Sequence, residues 1–131
     1  MIVHKESQNW YGAASGYLKL AKDKLNKGEK VFTNIFVKDS MFDQPKKGPV
    51  IMVGPGTGVV PFIGFLESWE LKSHIAPTHL YFGCRKEGSD YIFKEFLTSA
   101  KEKGLLTQLR TAFSREEKSQ YVQDLLTEDK E

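Results

Sequence analysis

The stretch that decides the fold covers residues 49–60 and reads PVIMVGPGTGVV. Residues 49–53 form a continuous apolar run, which is typical of a parallel strand buried on both faces. Residues 54–58 contain three glycines and separate this strand from residues 59–72, where apolar side chains recur at helical spacing. A strand, a glycine-rich turn and a helix in this order predict the first unit of a doubly wound α/β domain.

The chain repeats this alternation further on. We predict a second strand at 79–82, a second helix at 90–103 ended by Gly104, a third strand at 105–113 and a third helix at 120–126. The order β-loop-α-β-α-β-α is that of half a doubly wound domain. The fold class is therefore α/β, with a partial doubly wound parallel sheet.

The pattern differs before the apolar run, which divides the chain into residues 1–47 and 48–131. In the first part, Ser15 is the predicted N-cap of a short amphipathic helix that stops near Gly28. Residues 30–37 are rich in β-branched and aromatic side chains, so they predict a strand.

The composition bounds the class of protein. The chain has 131 residues and a formal charge of +2, with basic and acidic side chains spread along it, which favours neither a nucleic-acid nor a membrane surface. No apolar run approaches the ~20 residues that span a bilayer, and the first residues lack the order of a secretory signal. The single cysteine fits a reducing compartment. We therefore expect a cytoplasmic protein without a membrane segment.

The glycine turn is the strongest candidate for a binding site. Glycines allow positive φ angles and close approach of a ligand to the backbone, and the helix N-terminus that follows favours an anion such as a pyrophosphate. The turn is neither a Walker loop nor the usual G-x-G-x-x-G fingerprint, because Val59 stands where the third glycine belongs. A tight turn with only a structural role is the alternative.

A second polar cluster follows the third strand. The carboxyl ends of parallel strands face the ligand crevice, so this cluster would meet the adenosine end of a dinucleotide bound at the glycine turn. The hydroxyl of Ser114, the guanidinium of Arg115 and the ammonium of Lys118 suit a 2′-phosphate, whereas an NAD site would carry an acidic group. The cluster predicts NADPH, and an ordinary charged loop capped by Ser114 is the alternative.

The end of the second strand adds one more candidate. Arg85 is expected to touch a phosphate or ribose, whereas nothing near Cys84 marks it as an activated thiolate. The three histidines show no metal-ligand spacing. We predict no catalytic residue and no metal site.

Three motifs stand in order along the chain: GPGTGVVPF at 54–62, FGCR at 82–85 with DY at 90–91, and FSR at 113–115 with YVQ at 121–123. Together they resemble the NADPH-binding module of the diflavin reductases, the family of cytochrome P450 reductase, sulfite reductase flavoprotein, nitric oxide synthase reductase domains and methionine synthase reductase. The resemblance covers nearly the whole chain and implies a ferredoxin reductase-like NADP-binding domain. Within the family, residues 50–66 look most similar to methionine synthase reductase.

The resemblance implies a role for each motif. The turn would hold the NADPH pyrophosphate, the FSR motif the 2′-phosphate, and Tyr121 would lie near the adenosine. GAAS at residues 12–15 looks like the family's turn for the FAD pyrophosphate, so residues 1–47 would be the tail of an FAD-binding domain. The candidate cofactor contacts are Gly56, Thr57, Gly58, Arg85, Ser114, Arg115, Lys118 and Tyr121 for NADPH, and Gly12, Ala14 and Ser15 for FAD.

Two departures from the family pattern limit what we expect of the chain alone. The family's Arg-x-Tyr-Ser segment, which binds the flavin ring, is missing upstream, and the chain stops before the Tyr-x-Cys-Gly strand and the terminal aromatic that serve the nicotinamide. We therefore expect a fragment that retains NADPH binding, with FAD binding doubtful and FMN only in a full-length parent. We also expect an exposed apolar edge at residues 50–53 and poor stability.

The resemblance implies an NADPH-dependent flavoprotein oxidoreductase, in which hydride passes from NADPH to FAD and electrons pass through FMN to an acceptor protein such as methionine synthase or a haem protein. This chain by itself is not expected to be catalytically competent. The alternative is a non-catalytic nucleotide-binding protein, or a fragment that docks on a partner through the unpaired strand edge.

Overall fold

The computed structural model describes residues 4–5, 10–39, 42–72 and 76–130. The chain forms two compact units, the first ending at residue 41 and the second beginning at Phe42. This division falls before the boundary expected at residue 48, because the intervening segment packs on the second unit. The ring of Phe42 stacks on that of Phe65 with 5.4 Å between centroids, and the side-chain amide of Gln44 donates to the Phe65 carbonyl at 3.1 Å.

The first unit contains an antiparallel pair of short strands, β1 (His4–Lys5) and β2 (Trp10–Tyr11), and helix α1 (Ala13–Asn26). The predicted cap at Ser15 is wrong, since the helix begins earlier. Gly12 has extended backbone angles, φ −60° and ψ 144°, and is the N-cap, which leaves Ser15 in the first turn.

The strand predicted at residues 30–37 is also wrong. Residues 29–39 have no regular secondary structure, and Phe32, Ile35, Phe36 and Val37 are exposed. A segment rich in β-branched and aromatic residues forms a strand only where a neighbouring strand accepts and donates the ladder hydrogen bonds. Among the described residues of this unit, no strand lies beside the segment.

The second unit alternates strands and helices. Its elements are β3 (Val50–Pro55), α2 (Val60–Lys72), β4 (Thr78–Cys84), α3 (Glu87–Asp90), α4 (Lys94–Glu102), β5 (Gln108–Phe113) and α5 (Val122–Glu128). A 3₁₀ turn, Gly56–Val59, joins β3 to α2. The three strands are parallel and lie in the order β3-β4-β5, which confirms an α/β fold with a parallel sheet.

Two predicted elements of this unit start later than expected by three residues or more. The helix predicted at 90–103 corresponds to α4 and begins at Lys94, because Phe93 before it adopts a left-handed backbone, φ 59°, and Tyr91 turns its ring onto Phe82 at 4.9 Å. A separate short helix, α3, ends at Asp90. The third strand starts later than residue 105. The amides of Leu105 and Leu106 instead bond the carbonyl of Ala100 at 2.9 and 3.2 Å and close the turn after α4.

The core lies on both faces of the sheet but covers them unequally. On one face, alternate side chains of β3 and β4 meet α2 and α4. The buried residues of this cluster are Val50, Met52, Val59, Ile63, Leu66, Trp69, Leu80, Phe82, Leu97, Ala100 and Leu106. On the other face, Val122 and Leu125 of α5 pack on Tyr81 and Ala112 of β4 and β5. Helix α5 is also tied down by the Tyr81 hydroxyl, which donates to Asp129 at 3.0 Å.

The apolar run of β3 predicted a strand buried on both faces. The structure shows that β3 is buried on one face only. Its burial alternates, and on the α5 side Ile51 is 67% and Val53 42% exposed. Over the residues described, β3 pairs with β4 alone, so the expected apolar edge is present. The poor stability of the isolated chain stays a prediction. No helix in the described part of the chain combines the length and apolar character that crossing a bilayer requires.

We predict that Gly83→Ala destabilises the second unit. A Cβ at this position would lie 2.4 Å from Cγ2 of Val122, so α5 must shift away from the sheet. We expect urea unfolding to show that the free energy of unfolding falls by about 1–3 kcal/mol, as for other overpacked positions. The control is Gly64→Ala in the exposed part of α2, where a Cβ meets nothing within 4 Å; alanine should raise helix stability there by about 0.5–1 kcal/mol. A loss at both positions would contradict the packing argument.

Candidate functional site

The parallel register brings the ends of all three strands to one edge of the sheet. Pro55 pairs with Gly83, and Cys84 pairs with Phe113, so the segments that follow β3, β4 and β5 start side by side. We call this the C-terminal edge. Every residue predicted to contact NADPH lies on one of these three segments.

The glycine turn folds back over the end of β3. A Cβ on Gly54 would lie 2.8 Å from Cα and 2.9 Å from the amide nitrogen of Val59, so only glycine allows the 3₁₀ turn to approach the strand. Gly56 has a φ of +56°, which favours glycine. Gly58 has neither constraint, because a Cβ there would meet only Cδ of Pro55 at 3.8 Å.

The turn is suited to an anion. Thr57 and Gly58 are exposed, and the first turn of α2 contains no acidic side chain. The 3₁₀ turn runs directly into α2, and the Val60 N–H already bonds the Thr57 carbonyl. The N–H groups without a helical partner, which carry the positive dipole end, are therefore those at the start of the 3₁₀ turn. Tightness of the turn requires Gly54 and Gly56, so a purely structural turn gives no reason for the glycine at 58. The residues present fit a pyrophosphate.

The loop after β5 is anchored against the end of β4. The amides of Ser114 and Arg115 donate to the carbonyls of Cys84 and Arg85 at 3.0 and 2.8 Å, which fixes the start of the loop against the segment that follows β4. The Gln120 amide donates to the Phe113 carbonyl at 3.0 Å and closes the loop. The Ser114 hydroxyl has one long contact, 3.5 Å to the Cys84 carbonyl, so it is free to turn to another acceptor.

The loop encloses an open depression of 680 Å³ at the C-terminal edge. Its lining consists of Lys86, Phe113, Arg115, Glu116, Glu117, Lys118 and Gln120. Two of the predicted residues, Arg115 and Lys118, are thus brought together. Ser114 and Tyr121 flank the depression in sequence without lining it, and the Tyr121 side chain is 53% exposed above the start of α5.

The segment after β4 differs from the sequence prediction in which of its two cations faces the depression. The guanidinium of Arg85 is paired with Asp90 at 2.8 Å, and this hydrogen bond holds the pKa of the Asp90 carboxyl below its usual range. Lys86, which the sequence reasoning missed, lines the depression instead. Lys86 could have been predicted from the sequence, because it is a cation two residues beyond β4, at the edge already predicted to bind the ligand.

Cys84 has the surroundings of a structural residue. Burial raises the pKa of its thiol, and the acidic groups of Asp90, Glu116 and Glu87 raise it further. The thiol donates to the Lys86 carbonyl at 3.6 Å. A protonated thiol is a poor nucleophile at neutral pH.

The FAD candidates lie together at the start of α1 in the first unit. Gly12 is the N-cap, Ala14 is exposed and Ser15 is half-buried, and the first turn contains no acidic side chain. The Gly12 carbonyl accepts the Gly16 amide at 2.7 Å, so the helix is regular from its first turn. This end is compatible with a phosphate group, by the same argument as for α2.

A family model, the oxidoreductase NAD-binding domain, matches residues 52–131. The chain belongs to this family. The NADPH–cytochrome P450 reductases of Sus scrofa and Homo sapiens are 44% and 42% identical over 127 residues, 92% of this chain and 19% of theirs. That of Salmo trutta is 46% identical over 102 residues. The resemblance to the diflavin, cytochrome P450 reductase-like family is thereby confirmed.

A solved structure supports the fold. It is described as ferredoxin-NADP+ reductase from Plasmodium falciparum with 2′P-AMP, and it superposes with a TM-score of 0.67 over 98% of this chain and 52% of its own. The sequences are 21% identical, so the likeness concerns the fold. The predicted ferredoxin reductase-like architecture is confirmed.

We predict that Gly56 and Gly58 of the glycine turn differ in their structural role. Gly56→Ala forces a side chain into the left-handed region and should lower the free energy of unfolding by about 1–2 kcal/mol. Gly58→Ala should change it by less than about 0.5 kcal/mol, because the added Cβ would make only an ordinary van der Waals contact, 3.8 Å to Cδ of Pro55. Urea unfolding of both variants tests this. Equal destabilisation would mean that Gly58 is also needed for the shape of the turn.

Proposed function

We propose that the chain is the NADPH-binding module of a diflavin-type flavoprotein oxidoreductase, with the C-terminal edge as the NADPH site. The observation that supports this most directly is the meeting of two complementary features on one edge. The turn after β3 offers an anion-favouring helix end, and the depression after β5 contains Arg115 and Lys118. The chain spans 19% of the length of its reductase relatives, so the reaction of the whole protein is part of the proposal.

The assignment of the two NADPH phosphates follows from this layout. Gly56, Thr57 and Gly58 would receive the pyrophosphate at the start of α2. Ser114, Arg115 and Lys118 would receive the 2′-phosphate, and the exposed Tyr121 ring would stack on the adenine. Strands β3 and β5 are separated by β4 alone, so the two places are roughly 10 Å apart. An extended adenosine moiety spans such a gap.

The charge of the depression supports NADPH over NADH. An NAD site presents a carboxylate to the ribose hydroxyls. Of the two carboxylates in the lining here, Glu116 accepts the Glu87 amide at 2.8 Å, and Glu117 stands against three cations, Lys86, Arg115 and Lys118. Arginine binds phosphate oxygens in a bidentate manner, and the Arg115 guanidinium has no partner among the described residues. The structural relative with this fold was solved with 2′P-AMP, which contains a 2′-phosphate.

The chain's own residues would bind and orient rather than react. Bound NADPH supplies a hydride that a flavin accepts. Gly12, Ala14 and Ser15 would form a pyrophosphate turn for FAD, with residues 1–47 as the tail of the FAD domain and FMN in another part of a longer cytoplasmic protein. We propose a haem protein as the acceptor, since the most similar relatives are cytochrome P450 reductases; methionine synthase, suggested by residues 50–66, is the other candidate.

Arg115→Ala tests the cofactor assignment. Loss of a charge-assisted hydrogen bond should weaken NADPH binding by about 1.5–3 kcal/mol, roughly 10- to 100-fold, whereas NADH binding should change by less than about twofold. Calorimetric titration of both nucleotides gives the comparison. The control is Lys101→Ala, an exposed cation at the far end of α4. An equal loss for NADPH and NADH would sink the 2′-phosphate assignment.

A second candidate is a non-catalytic nucleotide-binding chain, favoured by how unevenly the cofactor contacts are distributed. The NADPH candidates come from three segments of one edge, whereas the FAD candidates comprise a single helix end. A helix end alone contributes about 0.3–1 kcal/mol per anionic group. We therefore expect the purified chain to pass through gel filtration colourless after incubation with FAD. Yellow protein with NADPH-dependent dye reduction would contradict this and establish catalysis by the chain itself.

A further inference from the structure

The cations of the C-terminal edge fall into two groups. Arg85 is held in an ion pair, because its guanidinium lies 2.8 Å from Asp90, and Asp90 also accepts the Ser89 hydroxyl at 3.1 Å. Lys86, Arg115 and Lys118 have no side-chain partner within the described residues. The second group alone lines the depression.

The two neighbouring cations of the β4 segment face different surroundings. Lys86 has an extended backbone, with φ −138° and ψ 141°. The Arg85 guanidinium is directed to Asp90, whereas Lys86 lines the depression. Hydrogen bonds on either side hold this segment, from the Arg115 amide to the Arg85 carbonyl and from the Glu87 amide to the Glu116 carboxylate, both at 2.8 Å.

The charges around Lys86 leave the depression positive. Glu116 is engaged with the Glu87 amide, and the Glu87 carboxylate is paired with Lys94 at 2.7 Å. Glu117 is the one carboxylate of the lining without a described partner, against three such cations. An anion in the depression therefore meets more positive than negative charge, and Lys86 is the one cation of the lining that comes from the β4 segment rather than from the β5 loop.

We propose that Lys86 is the third cation of the 2′-phosphate site, and that Lys86 rather than Arg85 provides the contact from the β4 segment. This rests on the proposed function of the edge and adds a residue that determines its preference for a 2′-phosphate. An ammonium is a point charge with rotatable donors, so it can bind phosphate oxygens that the planar, bidentate Arg115 leaves free.

The test uses the full chain with two probes, 2′P-AMP and AMP, titrated calorimetrically into wild type and three variants. Lys86→Gln should weaken 2′P-AMP binding about tenfold and change AMP binding by less than about twofold. Lys86→Arg retains the charge and should restore most of the affinity for 2′P-AMP. The matched control Arg85→Gln removes the neighbouring cation and should weaken both probes by less than about threefold. Circular dichroism melts of each variant establish that the fold is kept.

The outcomes separate the two levels of the proposal. Wild type that binds 2′P-AMP no tighter than AMP overturns both the 2′-phosphate assignment of the edge and the role of Lys86. Wild type that discriminates, with Lys86→Gln unchanged, overturns the role of Lys86 alone. A loss for Arg85→Gln equal to or greater than that for Lys86→Gln assigns the contact to Arg85 and overturns the proposal.

Discussion

Parallel pairing of β3, β4 and β5 is the constraint on which the second unit depends. The ladder sets Pro55 beside Gly83 and Cys84 beside Phe113, and beyond it the amides of Ser114 and Arg115 donate to the carbonyls of Cys84 and Arg85. Because all three strands run in the same direction, the segments that follow them share one edge. The sheet by itself therefore brings residues from widely separated parts of the sequence to a common surface.

The sheet distributes its helices unequally, and this determines which positions tolerate change. Consecutive crossovers that run in one direction along the sheet place their helices on the same face, which α2 and α4 share. Helix α5 occupies the other face over β4 and β5, close enough that Gly83 has no room for a Cβ. Only β4 is buried on both faces, and the outward side chains of β3 stay exposed.

Electrostatics at the edge is decided by which side chains are already paired. Arg85 and Lys94 are neutralised by Asp90 and Glu87, and Glu116 is bound to a backbone amide. What remains is an excess of cations in a depression beside an anion-favouring helix end. Ion pairs of exposed groups contribute little to stability, so their main effect here is on which charges of the depression are left without a partner.

The fold class, the order of elements in the second unit and the place of the glycine turn could be read from the sequence, because apolar periodicity and glycine act over a few neighbouring residues. Once the strands were placed, the three segments that follow them could be assigned to one edge, and Arg115 and Lys118 could be named as cations on the last of these segments. The split at Phe93, the loss of a strand at residues 30–37 and the half-exposure of β3 could not be read, since each depends on what packs alongside.

By itself, then, the sequence determined that a strand, a glycine turn and a helix begin an α/β unit with a cationic loop further on. Only the tertiary structure decided that Arg85 pairs with Asp90 while Lys86 lines the depression, and that Gly54 and Gly56 shape the turn while Gly58 leaves it open. The physical reason is that periodicity and composition report local backbone preference, whereas the direction of a side chain depends on partners brought near by the parallel sheet.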